Sequence, residues 1–302
     1  MVEKLESGGD GAMTIHYIVQ CTAEKSLPPG DGLRWVEGTS PVDWKRCWNA
    51  SKARKPVSQL YTGNTFTKSM EAISASKDRW MIWVASAGGG LLRGPSSSGG
   101  GEDSVPGYEA YCFPSSPMNP RIMRSLWEGG GDDSYTLSND NCWSKINLDE
   151  GDTLVVSLPG SYQSSVFPSM DDYISSQVDV IGIGNCLSYS ERIRQIGSHP
   201  RIREVLGCGF SMMRTTLLER WIEGGDKELE ALDSVAANLP EAPLRQKISD
   251  AELRALILEA DSVTTSSKTR TIRWVRDECG VAASEDRIKS ALSNSMEIIE
   301  RQ

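Results

Sequence analysis

The clearest apolar runs in the chain are short, rich in β-branched and aromatic residues, and bounded by small or polar ones. Four of them predict strands: Thr14–Gln20, stopping at Cys21-Thr22; Arg79–Ala85, stopping at Ser86-Ala87-Gly88-Gly89-Gly90; Asp152–Leu158, stopping at Pro159-Gly160; and Val178–Gly184, stopping at Asn185. Between them the spacing turns helical. Phe66, Met70 and Ile73 share one face of a helix predicted over Lys68–Lys77, and further helices are predicted near Pro120–Trp127, near Phe167–Ile174 and over 201–223, ending at Gly224-Gly225. Strands alternating with helices predict an α/β fold, a mainly parallel sheet flanked by helices. In such a sheet the polar strand ends converge on one crevice.

The remaining stretches set the expected domain limits. Residues 1–12 read as a disordered leader, and 13–225 as the α/β domain. Inside it, Lys25–Ser58 and Glu128–Asn141 are polar, and the Gly/Ser-rich stretch Arg93–Asp103 is expected to be mobile. Residues 226–247 are acidic, carry Pro240 and Pro243, and read as a linker. A small all-helical domain follows at 248–302. Ser249 with Glu252 three residues on forms a capping box, opening a helix with Leu253, Leu256 and Ile257 on one face. The run Lys268–Arg276 holds four basic residues and no acid, Gly280-Val281-Ala282 makes a turn, and Ser284–Arg287 caps a last helix reaching Ile299. Three short helices with a Gly turn before the last resemble a helix-turn-helix module.

Composition narrows the classes of function. The chain has 302 residues, 38% hydrophobic and 24% charged, as an ordinary globular protein has. Its formal net charge of −9 excludes a general coat for nucleic acid but permits a local basic face. Two stretches offer one: Arg192, Arg194, His199, Arg201 and Arg203, and Lys268, Arg270, Arg273 and Arg276. Seven scattered Cys without a C-x-x-C pair fit neither a disulfide framework nor a zinc site, and the two histidines, His16 and His199, offer no metal cluster. With no signal-peptide pattern and no run of about 18 apolar residues, the protein reads as cytoplasmic, with reduced thiols and no membrane partner. No phosphate loop, dinucleotide fingerprint or His-Glu-x-x-His motif occurs, so no cofactor is expected.

Three motifs in order carry a resemblance: Cys21 and Lys25 after the first strand; Leu60, Tyr61, Gly63 and Phe66 opening a helix; and Ser86, Ala87, Gly90, Leu91 and Leu92 after the second strand. Together with Gly160 and Tyr162 beyond the third strand, they resemble the bacterial and phage domain of the YaaA-like proteins over about residues 14–190. The chain departs from that pattern by inserting Arg93–Asp103 and by placing Gly88-Gly89 where the family usually carries a basic and a bulky residue. The resemblance implies a sheet similar to that of uracil-DNA-glycosylase-like enzymes and the handling of a nucleobase. It extends to DNA glycosylases of phage defence that act on hypermodified DNA.

An N-glycosylase must extrude a base, hold it on an aromatic face, hydrogen-bond its edge, and stabilise an oxocarbenium-like sugar with a carboxylate that also orients water. Candidates for the catalytic groups are Glu24, Asn185 and Asp172, with Asp171 as an alternative carboxylate. The expected base pocket comprises Cys21, Lys25, Tyr61, Phe66, Ser86 and Tyr162; Lys25 could grip a phosphate or form a Schiff base, and Cys21 could act as a nucleophile only with His199 as its base. Contacts to double-stranded DNA are expected from His199, Arg201, Arg203, Lys268, Arg270, Arg273 and Arg287. The same residues have ordinary roles open to them: Glu24 as a solvated charge, Tyr61 and Phe66 as core, Asn185 as a turn former. Two rival functions stand beside the glycosylase, a non-catalytic DNA-binding protein of the YaaA type and a nucleoside-processing transferase without a DNA partner.

Overall fold

In the computed structural model, residues 13–112, 116–128, 142–166, 170, 174–184, 191–209, 211–241, 245–260, 264 and 267–299 are described. The chain divides into two units, Met1–Asn238 and Leu239–Gln302. In chain order the first runs β1 (Thr14–Gln20), α1 (Pro41–Ala50), β2 (Arg54–Pro56), α2 (Val57–Leu60), α3 (Asn64–Ala75), β3 (Arg79–Ser86), β4 (Gly90–Ser96), β5 (Ser104–Pro106) and α4 (Pro120–Glu128). It continues with β6 (Thr153–Ser157), α5 (Gly160–Val166), β7 (Asp179–Ile183), β8 (Ile193–Ile196), α6 (Ile202–Leu206) and α7 (Met213–Ala237).

Six strands form one sheet in the order β4-β3-β1-β6-β7-β8, with every neighbouring pair parallel except β3 and β4. The α/β class expected from the alternating pattern is therefore present. β1 lies at the centre, with Ile18 paired to Trp83 on one side and Val156 on the other. A strand covered on both faces needs an unbroken apolar run, and the inner residues of β1 and all of β6 are buried. From β1 the chain steps to β3 and β4 on one side, then returns to β6, β7 and β8 on the other. That reversal leaves a crevice beyond the C-terminal ends of β1 and β6, where open α/β sheets place their ligands.

Several expectations change. The Gly/Ser-rich stretch 93–103 begins inside β4 and is tied across its base, because Arg93 N–H donates to Asp103 Oδ2 at 2.8 Å and Asp103 N–H donates to Arg93 O at 2.9 Å. α3 starts at Asn64, ahead of Lys68. A helix is found at Gly160–Val166, while most of the stretch expected to be helical, 167–169 and 171–173, lies outside the described residues. Residues 226–237 are helix and not linker: α7 passes through a break at Gly225 (φ 66°, ψ −160°) and buries Leu229 and Ala236. Only a glycine takes that backbone conformation without strain, so the break follows from the sequence while the continuation follows from burial.

The second unit contains α8 (Asp250–Glu259), α9 (Lys268–Arg273) running into a π-type turn at Trp274–Glu278, and α10 (Glu285–Ile299). The Ser249–Glu252 capping box is present. Leu253, Ile257, Val275, Val281, Ile288, Ala291 and Leu292 form its core. Gln246 pairs with the Gly280–Ala282 turn through two backbone hydrogen bonds of 2.7 and 2.8 Å. Among the described residues no helix is long and apolar enough to cross a membrane.

Candidate functional site

A cavity of about 530 Å³ opens at the crevice between β1 and β6. Four segments wall it: Gln20–Glu24 after β1, Gly63–Thr65 at the start of α3, Ser161 and Tyr162 at the start of α5, and Ser211, Met212, Arg214 and Thr215 at the start of α7. Tyr111 and Cys112 also line it. Hydroxyl groups dominate the polar lining. Glu24 and Arg214 are the charged residues among the described lining positions.

The turn after β1 is held against the start of α3 by short contacts. Ser26 N–H donates to Leu60 O at 2.8 Å, Thr62 N–H to Glu24 O at 3.1 Å, and Gly63 N–H to Thr22 Oγ1 at 3.3 Å. Gly63 is required by proximity, since a Cβ there would lie 2.6 Å from Thr22 Cβ. α3 and α7 are joined nearby, where Ser69 Oγ and Thr215 Oγ1 stand 3.3 Å apart. The cavity wall is thus one bonded assembly drawn from segments about 190 residues apart in sequence.

Behind the turn lies a buried polar and aromatic network. Tyr108 Oη is 2.8 Å from Tyr61 Oη and 2.6 Å from Ser86 Oγ, and Ser86 Oγ in turn accepts from Gly89 N–H at 2.9 Å. The Lys25 ammonium sits 4.2 Å from the Tyr108 ring centroid and 5.8 Å from that of Tyr61, and donates to Thr22 O at 3.1 Å and Ala23 O at 3.3 Å. Burial lowers the Lys25 pKa from its ordinary value, and burial raises those of Tyr61 and Tyr108. Trp44 donates from Nε1 to Gly88 O at 2.8 Å. Cβ atoms at Gly88 and Gly89 would come within 2.8 Å of Trp44 and 2.7 Å of Trp48. The two tryptophans therefore occupy the space that larger side chains would need, which gives a steric reason for glycine at both positions.

Of the expected site residues, Cys21, Glu24 and Tyr162 line the cavity. Cys21 Sγ is 3.3 Å from Tyr162 Oη, and burial raises the Tyr162 pKa well above its ordinary value. His199, the base a Cys21 nucleophile would need, is not among the lining residues. Lys25, Tyr61, Phe66 and Ser86 belong to the layer behind; Tyr61 and Phe66 are each 2% exposed, with ring centroids 5.3 Å apart. As stacking faces for a base they are unavailable in this arrangement. Asn185, Asp171 and Asp172 lie outside the described residues.

The first basic stretch is engaged internally. Arg192 donates to Ile174 O at 2.9 Å and Ser175 O at 2.6 Å, Arg194 bridges Asp179 and Asp226, and Arg201 pairs with Glu204 at 2.7 Å. His199 and Ser198 donate their N–H groups to Asp233 at 2.8 and 3.1 Å, and Arg203 is exposed. None of these lines the cavity. In the second unit Lys268, Arg270 and Arg273 are exposed, whereas Arg287 donates to Ile248 O at 2.9 Å and to Asp250 Oδ1 at 2.7 Å, tying the starts of α8 and α10 together.

Lining residues not anticipated from sequence include Asn64, Arg214, Thr215, Ser211 and Cys112. For Asn64, Ser211, Arg214 and Thr215 the one local signal is position, in or just before the first turn of a helix; Cys112 has none. Among the described residues no group of three His, Cys, Asp or Glu is arranged to hold a metal. Fold and cavity define an α/β protein with a pocket at its topological switch point, lined by hydroxyl groups, Glu24 and Arg214 among apolar surface, a site suited to a small ligand. Comparison with protein-family models, with curated proteins and with solved structures found no match.

Proposed function

We propose that the first unit is an N-glycosylase, which holds a nucleobase in the switch-point cavity and hydrolyses its N-glycosidic bond. The observation that carries this is Glu24, the only carboxylate among the described lining residues of a cavity of about 530 Å³. Ligand pockets of about 300–1,000 Å³ take molecules the size of a nucleoside. In the proposed reaction Glu24 orients a water towards C1′ and stabilises the developing positive charge on the sugar. The water oxygen bonds to C1′, the C1′–N bond breaks, and the water's proton neutralises the departing base. Asn64, an amide with donor and acceptor, takes the edge-reading role expected of Asn185. The likeness of Cys21–Lys25, Leu60–Phe66 and Ser86–Leu92 to the YaaA-like and uracil-DNA-glycosylase-like domains supports a base-handling function and a DNA substrate, including hypermodified phage DNA. The helix-turn-helix-like second unit then grips the duplex through Lys268, Arg270 and Arg273.

One observation favours a different substrate for the same chemistry. Arg192, Arg194, Arg201 and Arg287 are committed to internal partners, which leaves fewer cations for a phosphate backbone and suits a free nucleotide. The test incubates the full chain with unmodified and hypermodified DNA and, separately, with deoxynucleotides, then scores alkali-labile sites and free base. Release by the wild-type protein, reduced about 10²–10⁴-fold in Glu24→Gln, is the expected result. Absence of release from every substrate overturns the proposal in favour of a non-catalytic DNA-binding protein.

A further inference from the structure

The sequence left Lys25 as a group that reaches for a phosphate or a sugar. Its side chain turns instead to the layer behind the cavity, onto the Tyr108 ring and the carbonyls of Thr22 and Ala23. The consequence lies in the peptide groups themselves. Across a trans peptide bond the C=O and the following N–H point in opposite directions, and among the described residues there is no cis bond. With the Thr22 and Ala23 carbonyls aimed at the ammonium, the N–H groups of Ala23 and Glu24 are aimed away from it. Thr22, Ala23 and Glu24 line the cavity, while Lys25, Tyr61 and Tyr108 do not. Among the described residues neither of these N–H groups has an intramolecular acceptor.

Two adjacent peptide dipoles in a segment that lines the cavity therefore turn their positive ends away from the ammonium, with that cation behind their negative ends. Such paired N–H groups form an anion-binding concavity. The Glu24 carbonyl is also occupied, by Thr62 N–H and Thr22 Oγ1 at 3.1 and 3.2 Å, so the turn is fixed before any ligand arrives. Arg214 on the same cavity supplies a guanidinium for further oxygens of an anion.

We propose that the Thr22–Glu24 turn is an oxyanion-binding loop whose Ala23 and Glu24 N–H groups receive a phosphate oxygen, with Lys25 as the positioning residue that orients them. The substrate class this gives, a phosphorylated nucleoside, rests on the glycosylase reading; the loop's affinity for phosphate does not. The phosphate belongs either to a mononucleotide or to a phosphodiester strand.

The experiment titrates ¹⁵N-labelled full-length protein with inorganic phosphate, then with a deoxynucleoside 5′-monophosphate and with a single-stranded oligonucleotide, following backbone amide signals. The Ala23 and Glu24 amide protons are expected to move downfield with all saturating phosphate, and the tighter of the other two ligands identifies the source. Lys25→Met is expected to weaken phosphate at least tenfold, with the Asn64 and Thr65 amide signals of the free variant unmoved. Phosphate that leaves Ala23 and Glu24 unshifted overturns the proposal. So does a Lys25→Met variant that binds phosphate as tightly as wild type, or whose Asn64 and Thr65 signals shift with those of the turn, since that marks a merely structural lysine. Should the variant not fold, the wild-type shifts alone decide. Phosphate bound at the turn of a protein that releases no base would sink the glycosylase reading and leave this one standing.

Discussion

His16 is 3% exposed in the central strand, and its surroundings fix its protonation state. Nδ1 accepts a hydrogen bond from Trp83 Nε1–H at 3.1 Å, which requires that nitrogen to be unprotonated. Nε2 stands 3.5 Å from Asp152 Oδ2, and Asp152 in turn accepts from Thr14 N–H at 2.8 Å and Asp149 N–H at 2.9 Å. Burial opposes the imidazolium and Asp152 favours it; burial wins, and the His16 pKa is lowered from 6.5. The Trp83 donor adds to that result, because a proton on Nδ1 would set two donors face to face. Below pH 6.5 the unfolded chain then binds a proton that the folded chain refuses. Stability is fully present above that value and is lost as pH falls towards the folded pKa, by up to about 1.4 kcal/mol per pH unit, with no further loss from this group below it. His16→Asn keeps an acceptor near Trp83 and removes the titration. At pH 7.5 it is expected to be less stable by about 1–3 kcal/mol, because the contact with Asp152 Oδ2 is lost and the smaller side chain fills the buried site less well. Urea unfolding of both proteins at several pH values measures the gap, which should narrow by up to about 1.4 kcal/mol between pH 6.5 and 5.5. A gap that stays constant or widens in acid would refute the assignment of a neutral imidazole bonded to Trp83.

Gly63→Ala forces a Cβ to within 2.6 Å of Thr22 Cβ, and should cost about 1–3 kcal/mol in urea unfolding while weakening any ligand of the cavity. Leu229→Ala is expected to cost about 2–5 kcal/mol, since Leu229 is fully buried; a surface-like effect below about 0.5 kcal/mol would restore the linker description of 226–237. Burial pushes the Cys112 thiol up to about 12, so iodoacetamide at pH 8 should label it only in the unfolded protein, well after the partly exposed Cys47 and Cys208. Peptide mass spectrometry over time checks this, and early labelling of Cys112 in folded protein would contradict it.

The strands legible in the sequence are those buried on both faces: β1, β3, β6 and β7 are continuous apolar runs, and such runs have few other uses in a chain. The edge strands were not legible. β4 contains Gly94-Pro95 and β8 is Ile-Arg-Gln-Ile, and each is a strand only because a neighbour is already there to pair with it. At Gly224-Gly225 local chemistry points to a helix end and the backbone does leave the helix at Gly225; the helix that resumes beyond it, burying Leu229, is what the sequence did not announce. For the site, polar residues after β1 and β6 were visible, because strand ends in an α/β sheet converge. Tyr61 and Phe66 are placed in the core and not in the pocket, since an aromatic at a helix end serves either as readily, and only the packing of Tyr61 on Phe66 and Tyr108 decides which. Arg214 and Thr215 reach the cavity from α7 with no motif to announce them.

The measurement that bears most directly on the proposed function is quantification, by mass spectrometry, of free base released from hypermodified DNA and from deoxynucleotides by wild-type protein and by Glu24→Gln under single-turnover conditions. Release by the wild type, falling about 10²–10⁴-fold in the variant with its fold intact, is the expected outcome. Equal release by both proteins would remove Glu24 from the chemistry, and no release by either would remove the chemistry from the cavity.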